Sequence, residues 1–140
     1  MNPLRFRGTA ALVPLILASL ALPTARAVTI DWVTVGDPGN TADTTTYGAV
    51  ADSFQIMKFE FTNQQYTDFL NAIDPSGTNP NSVYNASMGS DARGGISFNS
   101  LLASGFKYAI KTDMGDKPVN YVSWWDAARV SNWLHNGAQT

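Results

Sequence analysis

One histidine, one glutamate and no cysteine bound the chemistry open to this chain of 140 residues. Without thiols there is no cysteine nucleophile, no thiolate metal site, no haem attachment and no disulfide. Ser123 and His135 are a hydroxyl and an imidazole, but they stand twelve residues apart on one predicted helix. At 1.5 Å per residue that is about 18 Å, too far for a nucleophile to meet its base. A histidine in a last helical turn is better placed to meet the terminal carbonyls. Glu60 shares a strand face with Lys58, as an ion pair or as a buried polar anchor, with a catalytic role behind both. Asp37, Asn40 and Asp43 place three oxygen-bearing side chains within seven residues. That suits a turn closed by side chain to backbone hydrogen bonds or, alternatively, a hard cation such as calcium. The chain has no phosphate loop, no dinucleotide-binding glycine motif, no His-Glu-x-x-His and no serine elbow.

Trp125, Arg129 and Trp133 follow at i, i+4 and i+8 on the last predicted helix, close enough for a guanidinium to lie against indole faces. They are the candidate contact or interface residues. The other side gathers Leu134, Ala127, Ser131, Trp124 and Ala128, with Val130 at its margin, and reads as the core face. A helix apolar on both sides wants cover on both. The expected cover is further sequence of the same domain or a partner protein, and without it the chain is expected to be marginally stable.

These residues are positioned by a short series of elements. Residues 30–35 alternate as a strand, and Gly36-Asp37-Pro38-Gly39-Asn40 turns the chain. Residues 54–61 read as a strand with apolar side chains on both faces, hence interior. Thr62 with Gln65 is a capping arrangement, and Tyr66, Phe69, Leu70 and Ile73 continue it as a helix that Asp74-Pro75 ends. Residues 75–95 form a long polar loop, functional or flexible, with a glycosylation-type Asn85-Ala86-Ser87. Residues 106–111 alternate as a strand with one wet face, and residues 118–122 read as a strand entering the helix that Ser123 and Asp126 cap and Asn136-Gly137 stops. The expected class is α+β with mostly antiparallel pairing, two main helices and long irregular loops.

Arg5 and Arg7 precede an apolar run over residues 10–22, and Ala25-Arg26-Ala27 closes it with small residues. This reads as an export signal, residues 1–27, cleaved before Val28, with a retained anchor or a core helix as the alternative. The run is thirteen residues long, short of the ~20 that span a bilayer. Residues 28–140 then form one domain, periplasmic or extracellular, with no membrane span. They carry six basic and eleven acidic residues, a net charge of −5. No basic stripe is left for nucleic acid.

Taken in order, Glu60-Phe-Thr62-Asn63-Gln-Gln-Tyr66-x-x-Phe69-Leu70-Asn71, then Pro118-Val119-Asn-Tyr-Val-Ser123-Trp124-Trp-Asp126-Ala127-Ala, then Trp133-Leu134 resemble the formylglycine-generating enzyme or sulfatase-modifying factor family. Val35-Gly-Asp-Pro-Gly-Asn40 with Gly94-Gly95-Ile96 is similar to a subgroup of exported bacterial members. The resemblance implies a partial C-type-lectin-like fold with the two helices packed at its base. It also implies a family divided among copper-dependent formylglycine synthesis, iron-dependent sulfoxide chemistry and members without activity, with copper, iron or calcium as cofactors. The enzymes' catalytic cysteines lie beyond the part matched, so no catalytic, cofactor or metal residue transfers to this chain. The leading expectation is a truncated, non-catalytic domain. The alternatives are a lectin-like module binding glycan or protein through the 75–95 loop and the tryptophan stripe, and a fragment of a longer metal-dependent oxidoreductase of the family.

Overall fold

The computed structural model describes residues 28–138, so the leader read in residues 1–27 lies outside the described residues. Two antiparallel hairpins and two main helices make an α+β arrangement. Strand β1 (Trp32–Val35) pairs with β2 (Phe54–Met57), placing Trp32 opposite Met57. Helix α1 (Asn63–Ile73) follows, then a single helical turn α2 (Ser87–Ser90), strands β3 (Ile96–Phe98) and β4 (Tyr108–Ile110), and helix α3 (Trp124–His135).

Helix α1 begins where its side chains permit. Thr62 accepts from the Gln65 amide at 3.2 Å, and the Gln65 carboxamide accepts from the Thr62 amide at 2.9 Å. Two free amides are thereby satisfied reciprocally. Its inner face carries Tyr66, Phe69 and Leu70 into a core completed by Val83, Met88, Ile96, Tyr108, Val130 and Trp133.

Several expectations are corrected. The strand foreseen over residues 54–61 stops at Met57 and is not interior, since among the described residues β1 is its one sheet partner and Phe54 and Ile56 are each about half exposed. Lys58 does not pair with Glu60; its ammonium lies 5.3 Å from the centre of the Phe59 ring. Residues 118–122 form no strand, only an isolated bridge between Pro118 and Thr62. Strand β3, unforeseen, pairs with β4 through Ile96 opposite Ile110. The 75–95 stretch is a long loop as expected, interrupted only by the unforeseen turn α2, and it is pinned: Asp74 accepts from the amides of Thr78 and Asn79 at 3.0 and 2.8 Å, and Val83 and Met88 are buried.

The faces of α3 differ most from expectation. The residues it buries are Asp126, Val130 and Trp133, whereas Trp124, Ala127, Ala128 and Ser131 are exposed. Of the expected core face, Val130 is buried and Leu134 packs against the core, while the other four residues lie open. Trp133 packs tilted against Phe69 at 5.3 Å between ring centres, so one residue of the supposed outer stripe reaches α1, while Trp125 and Arg129 stay exposed. One indole against a phenyl ring fixes the helix rotation more strongly than three small side chains do.

Candidate functional site

The loop before α3 is held against the start of α1, and this brings the two signature stretches together. Asn63 is the junction. Its backbone amide donates to the Lys117 carbonyl at 2.9 Å, and its Nδ2 donates to the carbonyls of Met114 at 2.9 Å and Lys117 at 3.0 Å. The Gln64 amide donates to the Gly115 carbonyl at 3.0 Å, and the Val119 amide to the Phe61 carbonyl at 2.9 Å. Asn63 is buried to 1 % exposure, so these bonds have little competition from water.

Gly94 and Gly95 complete the junction from the other side. A methyl group on Gly95 would sit 2.3 Å from Asn63 Nδ2, and one on Gly94 would sit 2.2 Å from the Met88 carbonyl oxygen. Backbone approach, not turn conformation, demands glycine here.

Ser123 and Asp126 form the second reciprocal cap. The Ser123 hydroxyl donates to Asp126 Oδ2 at 2.6 Å, the Ser123 amide donates to the same oxygen at 3.0 Å, and the Asp126 amide donates to the Ser123 hydroxyl at 3.2 Å. Arg129 Nη1 lies 3.6 Å from Asp126 Oδ1. The carboxylate also reaches the core electrostatically. Burial pushes the Tyr66 phenol up, Asp126 pushes it further, and Arg129 opposes them. The Tyr66 hydroxyl donates to the Val83 carbonyl at 2.6 Å.

Trp125, Arg129 and Trp133 are not brought together as a ladder. Trp133 is buried, Arg129 turns to Asp126, and Trp125 is 68 % exposed and meets Trp124 edge-on at 4.8 Å. The exposed aromatic pair is therefore Trp124 with Trp125. Glu60, the one glutamate, is exposed at the turn before α1.

Sequence periodicity did not disclose an apolar cleft of about 540 Å³ between β2 and the open face of α3. Ile56 and Phe61 line one wall, Ala127, Val130 and Leu134 the other, and Gln55, Ser131 and His135 add polar atoms. The signal for it was present as Ala127 and Ser131, small side chains on a helix face that otherwise expects large ones.

The chain holds no thiol and one imidazole, and among the described residues no three histidine, aspartate or glutamate side chains group to hold an ion. In the 37–43 turn, Asn40 Oδ1 accepts from the Val50 amide at 2.7 Å and Asp43 Oδ1 from the Thr45 amide at 2.7 Å. Those oxygens serve the loop's own backbone, as the Asx reading expects.

Residues 31–136 match the family model described as "Sulfatase-modifying factor enzyme 1-like domain". Neither the curated proteins nor the solved structures gave a match.

Proposed function

The chain belongs to the sulfatase-modifying factor enzyme 1-like family, and we propose that it serves as an exported, non-catalytic portion of such a domain whose last helix is a contact surface. The observation that carries this reading is the use made of the signature side chains. Thr62, Asn63, Ser123 and Asp126 are each engaged in helix starts or in pinning the 114–118 loop. They hold the scaffold and leave no activated nucleophile or base. Copper-dependent formylglycine synthesis, as the resemblance describes it, needs cysteines that the chain lacks. The basic and apolar character of residues 5–22, with Ala25 and Ala27, supports export. The short antiparallel hairpins and the long pinned loop are compatible with a variant of the C-type-lectin-like fold.

The test is direct. The full chain is incubated with copper and a cysteine-containing sulfatase peptide, and the peptide is followed by mass spectrometry. No formylglycine is expected; its formation overturns the reading.

The exposure of Trp124 and Trp125, at 72 % and 68 %, favours a second reading as a binding module for glycan or protein. Flat indoles left in water are common contact groups. Glycan-array binding that disappears in Trp125→Ala with an unchanged circular dichroism spectrum supports it, and silence across the array counts against it. A reading frame that continues past Thr140 into cysteine- or histidine-bearing sequence would instead make the chain part of a metal-dependent oxidoreductase of the family.

A further inference from the structure

Helix α1 meets the second hairpin through a polar stripe, Asn63, Thr67 and Asn71, spaced at i, i+4 and i+8. At its far end Asn71 grips β4: its Nδ2 donates to the Tyr108 carbonyl at 2.9 Å, and its Oδ1 accepts from the Tyr108 amide at 3.0 Å. At the near end Asn63 holds the carbonyls of Met114 and Lys117. Thr67, between them, is 4 % exposed, yet its hydroxyl has no hydrogen-bond partner among the described residues. Neither has Asn63 Oδ1, one turn away on a residue that is 1 % exposed. Unpaired polar atoms at such depth are rare, because each bears the full loss of its hydration.

The strand register shows what faces them. The Lys111 amide donates to the Gly95 carbonyl and the Asn99 amide to the Lys107 carbonyl. Residues 107, 109 and 111 therefore bond toward β3, and Tyr108 and Ile110 turn their amides and carbonyls to the opposite edge, where Asn71 sits. Four helical residues rise about 6 Å and two strand residues about 6.8 Å. A step from Asn71 back to Thr67 thus matches a step from Tyr108 on to Ile110.

We propose that an internal water molecule is bound in this seam, between Asn63 Oδ1, the Thr67 hydroxyl and the backbone edge of Ile110. Water is the ligand that the chemistry selects. It can donate to Asn63 Oδ1 and to the Ile110 carbonyl while it accepts from the Thr67 hydroxyl, and three bonds are typical of a buried water. A calcium-like cation takes carboxylates among its oxygens, and the three groups here are neutral. The water completes the stripe and carries the Asn63 junction into the second hairpin. It does not depend on the reading of α3 as a contact surface.

Thr67→Val keeps the shape of the side chain and removes its hydroxyl, so the sign of its effect on the full chain decides. The expected result is a melting temperature lowered by about 5 °C. A crystal structure of the wild-type chain is expected to show a water within about 3.2 Å of both oxygens. A Thr67→Val chain that melts at or above the wild-type temperature overturns the proposal, because a hydroxyl that is merely buried and unpaired is better removed. Lost stability with no water between the two oxygens also overturns it, since Thr67 would then reach the strand directly. A wild-type melting temperature raised by calcium, with no such rise in Thr67→Val, would assign the seam to a cation and equally overturn it.

Discussion

The Tyr108 hydroxyl donates to Asp74 Oδ2 across 2.5 Å, joining strand β4 to the carboxylate that closes helix α1. Asp74 is 3 % exposed and Tyr108 is likewise 3 % exposed. Around the same carboxylate gather the amides of Thr78 and Asn79 and the Ser76 hydroxyl. Burial pushes the Asp74 carboxyl up, but the bonds from Tyr108, Asn79, Ser76 and Thr78 together outweigh it and hold it below its ordinary value. One side chain thus fixes a helix end, the start of the 75–95 loop and the second hairpin.

Tyr108→Phe removes one hydrogen bond to a buried charge, worth about 1.5–3 kcal/mol. In a domain of this size that lowers the melting temperature by roughly 10 °C. The acid dependence has a definite sign. A carboxyl depressed in the folded state adds stability above its unfolded pKa of about 3.9 and loses it as pH falls through the folded value. Wild-type stability from this group is expected to hold from neutrality to about pH 5 and to fall below about pH 4. The gap between wild type and Tyr108→Phe should narrow in acid; urea melts across that range measure it. A constant gap from pH 7 to pH 2 would mean that Asp74 is not the partner that matters.

At the alkaline end the sign reverses. Burial raises the phenols of Tyr66, Tyr84 and Tyr108, with Asp126 adding to the first and the Asp74 hydrogen bond to the last. A phenol raised on folding contributes stability below its unfolded pKa of about 10, and this is lost as pH rises through the folded value. Tyrosinate absorbance is therefore expected to show three of the five tyrosines ionising together with unfolding. Smooth titration of all five in the folded chain would contradict this burial.

The Gly95 contact with Asn63 leaves no room for a side chain. Gly95→Ala puts a methyl 2.3 Å from Asn63 Nδ2, and the amide cannot retreat without releasing the carbonyls of Met114 and Lys117. Overpacking costs about 1–3 kcal/mol and the lost bonds cost more, so the domain is expected to lose most of its stability of about 5–15 kcal/mol. Gly39→Ala meets nothing within 4 Å and is expected to lose far less, limited to the strain of its left-handed backbone at φ 87°. Chemical denaturation of the two variants separates a packing demand from a turn demand.

Helix starts were legible because they are local: Thr62 with Gln65 and Ser123 with Asp126 lie within four residues, and both caps form as read. The hairpin of β1 and β2 was legible in part, since alternation marks a strand but says nothing of how many neighbours it finds. Strand β3 was missed because three residues, Ile96–Phe98, are too short to show a period. The Asn63 junction joins residues more than fifty positions apart, and no local pattern encodes it. Gly94-Gly95 was the visible trace of that junction, noticed as a resemblance and not as a close approach. The rotation of α3 went wrong for a related reason. Periodicity offered two apolar faces, and the choice between them depends on Phe69, which comes from another helix.

That choice separates two tryptophans which the spacing alone makes equivalent. Trp133 is 8 % exposed and lies 5.3 Å from Phe69, where it links α3 to α1. Trp133→Ala leaves a cavity under the helix and is expected to cost about 3–5 kcal/mol. Trp125→Ala removes a ring that is 68 % exposed and touches Trp124 edge-on. Exposed sites of that kind change stability by about 0.5 kcal/mol or less. Urea denaturation of the two variants under one set of conditions is expected to differ by at least about 2 kcal/mol. Arg129→Ala belongs between them. Its contact is with Asp126 at 3.6 Å across a partly exposed gap, worth up to about 1 kcal/mol. If Trp125→Ala destabilised as strongly as Trp133→Ala, or Arg129→Ala weakened both equally, the three side chains would act as one stripe and α3 would be rotated from the position described. A large loss confined to Trp133→Ala fixes the rotation and leaves Trp124, Ala127 and Ser131 facing outward beside the cleft.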